Sequence, residues 1–121
     1  MVAELQQVLA LPELKVSATC VQAPVFFGDS LSVSLLAGEP LPMAQVQAVL
    51  ASESALELVE EGDYPTAVVD AVGQDAIYVG RVRQGLDDAT ELNLWITSDN
   101  VRKGAALNAV QIAELLIKHY L

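Results

Sequence analysis

Three kinds of residue in this chain could do chemistry: one cysteine, pairs of adjacent carboxylates, and polar residues set singly among apolar ones at the ends of elements. Cys20 is a candidate nucleophile, but it falls on the apolar side of a strand-like segment with no basic neighbour to lower its thiol pKa. The pattern fits a small buried hydrophobe. Glu60 with Glu61, and Asp87 with Asp88, could act as acid and base, yet both pairs lie in acidic runs that solvated turns explain. One Cys and one His cannot build a structural zinc site. His119 stands at the end of the last helix, where a basic group offsets the helix dipole, so no metal site is expected. The glycines form neither GxGxxG nor GxxxxGK[ST], which argues against a self-contained nucleotide site. Two constellations remain: Gln22 with Asp29 around a break between strands, and Asn100 with Arg102 and Lys103 at the start of the last helix. Pattern alone favours a satisfied core amide, a turn Asp and an ordinary N-cap.

The elements that must position these residues belong to a chain of 121 residues, 53% of them hydrophobic. That is one domain, residues 1–121, with enough apolar material for a core. Six Lys or Arg stand against sixteen Asp or Glu, a formal net charge of −10. Such a balance argues against nucleic acid and anionic membranes as partners. No apolar stretch approaches a spanning helix and the acidic start lacks a basic signal-peptide region, so a cytoplasmic protein is expected.

Residues 2–10 can form a short helix that Pro12 interrupts. Residues 15–23 and 31–37 alternate as strands flanking a polar loop at 28–30. Pro42 suits the first turn of a helix whose Met43, Val46, Val49 and Leu50 share a face and should cover a sheet. Residues 56–59 form a short strand candidate; 76–83 and 92–97 read as two more, joined by a hairpin-length link, their charged ends suggesting exposed margins. Residues 101–120 give the clearest helix, with Ser98, Asp99 and Asn100 all good N-cap types upstream. It is apolar nearly all round, which implies cover from a missing domain or a second subunit.

Three stretches, SATCVQAPVFFGDS at 17–30, GDYPTAVVDAVGQDAIYVGRVR at 62–83 and SDNVRKGAALNAVQIAELLI at 98–117, carry a family likeness. They resemble the carboxyl-terminal part of aspartate-β-semialdehyde dehydrogenase, the enzyme that reductively dephosphorylates aspartyl phosphate using NADPH. The run VQAPVFFGDS is most similar to a divergent paralogue group of semialdehyde dehydrogenase homologues. The resemblance implies an α+β, two-layer domain: a mixed, largely antiparallel sheet with helices packed on one face. It also implies a homodimer formed through the sheet, and an amino-terminal NADP-binding domain outside these residues against which helix 101–120 packs.

Site roles follow only from that resemblance. Gln22 stands where active members have a substrate-gripping Arg, Asp29 where they have the His that moves the proton, and Asn100 matches a residue contacting the nicotinamide side of NADP. Exchanging a cation for a neutral or acidic group near an anionic substrate forfeits on the order of 4 kcal/mol per pair at about 4 Å and an effective dielectric near 20. The implied reading is a fragment without catalysis or bound cofactor of its own, from a parent not competent in the family reaction. The alternative is an active parent with altered substrate specificity, using Asp29 as base.

Overall fold

The computed structural model describes residues 2–120. A first helix, α1 (Val2–Val8), is followed by a long irregular segment, and the Gln6 side-chain amide donates to the Leu14 carbonyl at 2.9 Å to fold that segment back. Strand β1 (Asp29–Leu36), helix α2 (Met43–Ser52), strands β2 (Leu56–Leu58), β3 (Ile77–Gln84) and β4 (Glu91–Ser98), and the last helix α3 (Leu107–Tyr120) complete the chain. Two π-helical turns, Ala67–Ala71 and Arg102–Ala106, sit before β3 and before α3.

The sheet order is β1-β4-β3-β2, with β1 and β3 antiparallel to β4 and β2 parallel to β3. This is the expected mixed, largely antiparallel α+β architecture. The register sets Leu31, Val33 and Leu35 opposite Ile96, Leu94 and Leu92 on one face, and Ser30, Ser32 and Ser34 opposite Thr97, Trp95 and Asn93 on the other. One face is therefore aliphatic and the other is hydroxyl-rich, because side chains alternate along a strand. Helix α2 packs on β2 and β3 with Met43, Val46 and Leu50 half-buried, while Val49 is exposed. Val79 and Leu92 are buried in the sheet, and Ala67 and Ala71 within the first π turn.

That turn is held against the hydroxyl-rich face by shape and by one directed bond. The Trp95 indole N–H donates to the Pro65 carbonyl at 2.8 Å. A Cβ on Gly80, opposite Trp95, would come within 2.7 Å of the Pro65 ring, so only glycine lets the proline approach. Thr66 caps the turn by accepting from the Val69 N–H and donating its own N–H and hydroxyl to Asp70. Just past Gly80 the pairing of β3 with β4 slips, and Arg81 adopts φ +55, a β-bulge built on a non-glycine residue.

Three expectations are corrected. Residues 15–23 form no strand, since no described strand lies alongside to complete a ladder, and an alternating pattern without hydrogen-bond partners does not make one. Cys20 in that segment is consequently exposed rather than a buried hydrophobe. The final helix does not run evenly from 101 to 120, because its first turn winds as π from Arg102 to Ala106. None of the residues of α3 is buried, and Val110, Ile112, Leu115, Leu116 and Ile117 are each about half exposed.

Substituting Gly80→Ala should lower stability by about 1–3 kcal/mol, the usual cost of overpacking. Urea denaturation followed by circular dichroism checks it, with Gly38→Ala, which meets nothing within 4 Å, expected to shift stability by under about 0.5 kcal/mol.

Candidate functional site

The candidate residues lie at the end of the sheet where β1 begins and β4 ends, and two adjacent side chains organise it. Asp99, 5% exposed, follows β4 and opens the last helical segment. One of its carboxylate oxygens accepts from the Val101 and Arg102 N–H groups, each at 2.9 Å, as an N-cap does. The other accepts from the Gly73 N–H at 2.9 Å. Gly73 has φ +77, in the left-handed region that glycine adopts without strain. The buried carboxylate thus joins the turn after the first π segment to the start of the second.

Asn100, next in sequence, reaches in a different direction. Its Oδ1 accepts from the Gly28 N–H at 3.0 Å, across 72 residues of chain. Gly28 has φ +91, and a Cβ there would lie 2.8 Å from that of Ala67. The loop ahead of β1 is thereby pinned between Asn100 and the first π turn. Asp29, the first residue of β1, pairs with Ser98 and is carried to the same corner with its side chain exposed.

Two of the three sequence-derived positions, Asp29 and Asn100, are brought together, each one residue from the Gly28 to Asn100 bond or in it. Gln22 is not brought to them: it is exposed, and among the described residues its side-chain amide donates to the neighbouring Ala23 carbonyl at 3.3 Å. Arg102 is engaged by Asp75, with Nε to Oδ1 at 2.8 Å, and Lys103 donates to the Gln111 side chain. The Asn100 amide nitrogen remains as a donor suited to a carboxamide oxygen, whereas the two cations beside it are occupied. These residues fit the carboxamide of a nicotinamide ring and provide no cradle for the phosphates of the dinucleotide that carries it.

Asp99 entered the sequence reading only as a capping type; its bond to Gly73 had no sequence signal beyond a glycine able to take positive φ. Among the described residues no group of three or more His, Cys, Asp or Glu side chains could hold a metal, and no helix is long and apolar enough to cross a membrane.

The Gly73 N–H, foremost, and then the Arg102 N–H hold the Asp99 carboxyl below its ordinary value of 3.8. A carboxyl lowered in the folded state stabilises fully above its unfolded pKa and loses that contribution as pH falls through the folded value. Asp88, lowered by the Thr90 hydroxyl and N–H, adds to the same slope. The melting temperature should therefore drop as pH falls below about 4. Asp99→Asn should be less stable at neutral pH and show a shallower acid slope in thermal melts from pH 6 to pH 2.

The semialdehyde dehydrogenase dimerisation domain model matches residues 1–103. The USG-1 protein homolog of Azotobacter vinelandii is 62% identical over 118 residues, covering 98% of this chain and 35% of that protein. Aspartate-semialdehyde dehydrogenase 2 of Vibrio cholerae is 45% identical over 120 residues, 99% of this chain and 36% of the relative. The crystal structure of aspartate semialdehyde dehydrogenase II complexed with ASA from Vibrio cholerae superposes with a TM-score of 0.94 at 45% identity, over 100% of this chain and 36% of that one. A probable aspartate-semialdehyde dehydrogenase from Pseudomonas aeruginosa gives a TM-score of 0.78 at 66% identity, over 83% of this chain and 30% of the other. The chain spans about a third of the length of the curated relatives it matches.

Proposed function

The chain belongs to the semialdehyde dehydrogenase family, in its dimerisation domain, and from that premise we propose that it is the subunit-pairing and substrate-side part of an aspartate-semialdehyde dehydrogenase-like protein. The family reaction is the NADPH-dependent reductive dephosphorylation of aspartyl phosphate. The observation that carries the reading is the Asn100 to Gly28 bond, which keeps the substrate-side loop locked to the cofactor-side residue. That bond, made across 72 residues of chain, supports a role for both residues in one corner of a larger site.

Within that site this chain's residues bind and orient. Asn100 would offer its amide nitrogen to the nicotinamide carboxamide, NADPH when bound would supply the hydride, and the Gly28 loop would hold Asp29 at the edge of that site. Arg in place of Gln22 would present a planar fork to a substrate carboxylate; Gln offers one neutral donor. Asp29 is a carboxylate where an imidazole would titrate near neutrality. Both exchanges weaken the grip on an anionic acyl phosphate, and the parent is on this reading not competent in the family reaction. The second reading, an enzyme of altered substrate specificity with Asp29 as base, is supported by the exposure of Asp29 at the start of β1, where its side chain is open to a substrate.

The partners are a second copy, through the sheet, and an amino-terminal NADP-binding domain of the same protein, seated on α3. The half-exposed Ile112, Leu115, Leu116 and Ile117 support that seat, since a helix apolar on several sides is ordinarily covered on them. The acidic, half-apolar chain is suited to the cytoplasm.

Light scattering across a dilution series should give twice the 12.9 kDa chain mass at concentrations down to low micromolar; a clean monomer that is well folded would defeat the pairing role. In the full-length protein, Gln22→Arg together with Asp29→His should raise aspartyl phosphate reduction by about a hundredfold or more, the scale of a restored acid–base group. If the starting protein already turns over the family substrate rapidly, the claim of lost competence fails.

A further inference from the structure

A cleft of about 330 Å³ opens on the hydroxyl-rich face of the sheet, lined by Ser32, Tyr64, Arg81, Arg83, Leu94 and Trp95. It brings together two of the chain's three arginines, in a molecule whose net charge is −10. Neither guanidinium has an ion-pair partner among the described residues. Among the described residues no carboxylate lines the cleft, and Glu91, on the strand opposite Arg83, accepts from the Asn93 side-chain amide at 2.8 Å.

The arginines are also held in place. Arg81 occupies the left-handed conformation at φ +55, a position rarely taken by a residue with a long side chain and kept only where surrounding structure enforces it. Its guanidinium lies 6.0 Å from the centre of the Tyr64 ring. Arg83 donates from Nη1 to the Arg81 carbonyl at 2.9 Å, tying the second guanidinium to the bulge that presents the first. Trp95, held through its indole N–H to the Pro65 carbonyl, supplies an apolar wall. Ser32 brings a hydroxyl donor from β1.

We propose that this cleft is a binding site for a short dianion, with one guanidinium for each charged end and the Tyr64 and Trp95 rings against the body between them. Guanidinium forks match carboxylate and phosphate alike, and the volume falls at the small end of ligand pockets. The site lies on the bulge after Gly80, away from Gln22, Asp29 and Asn100, and it does not depend on the parent's reaction.

Trp95 is the sole tryptophan and sits in the cleft, so its fluorescence reports occupancy. The chain is titrated with succinate and, separately, with inorganic phosphate at ionic strength held constant with KCl, and the molar mass is followed by light scattering at each step. A saturable emission change at millimolar or lower concentration is expected, the preferred anion telling carboxylate from phosphate. Arg83→Gln should weaken it at least tenfold. Arg81→Gly should do the same while relieving the left-handed backbone, which keeps that variant folded. No saturable change, or one that survives both substitutions, overturns the site. So does an emission change that appears only as the mass falls from dimer to monomer, for then the arginines hold carboxylates of a second copy.

Discussion

A single buried carboxylate has to satisfy three backbone N–H groups before the two ends of this molecule can meet. Asp99 accepts from Gly73, Val101 and Arg102, and a buried carboxylate is tolerated only when its lone pairs are filled. Those bonds fix where the chain leaves β4, and hence where Asn100 points. Asn100 in turn fixes Gly28, and Gly28 fixes the direction in which β1 enters the sheet. Removing the carboxylate would free the turn at 73, the π turn at 102 and the loop ahead of β1 together, because each holds its position through the next.

Close approach is the second constraint, and glycine supplies it at two places on the same side of the sheet. Gly80 admits Pro65, and Gly28 admits Ala67. Both contacts fall at the start of the π turn, on either side of its Thr66 cap. Wide turns of this kind cost hydrogen-bond geometry and recur near functional sites. Here each one abuts a corner residue: Ala67 lies under Gly28, and Arg102 follows Asn100 by two positions.

The sheet was legible in the sequence where alternation was strict and where a partner strand was present. Leu31, Val33 and Leu35 gave β1, and the paired runs that became β3 and β4 were read within a residue or two of their ends. Residues 15–23 alternated just as well and formed nothing, because alternation states which side would be buried and not whether a neighbouring ladder exists. The winding of residues 102–106 was equally hidden, since composition does not distinguish an α from a π turn. Among site residues, Asn100 and Asp29 were found by family likeness and placed together by the fold. The arginines of β3 read as the charged margin of a strand, and only the bulge and the positive φ at Arg81 turned them into one wall of a cleft.

The sheet order also imposes a timetable on synthesis. Among the described residues β1 hydrogen-bonds only to β4, and residues 37–90 must be made before that partner exists. At about 5–20 residues per second the nascent strand waits several seconds with Leu31, Val33 and Leu35 facing water. β3 and β4, joined by a tight turn that Asp88 closes through Thr90, can pair as soon as both have emerged. β1 is thus a strand docked late onto a ready hairpin, and the serines alternating with its leucines leave it only one face on which it can stick to a stranger while it waits.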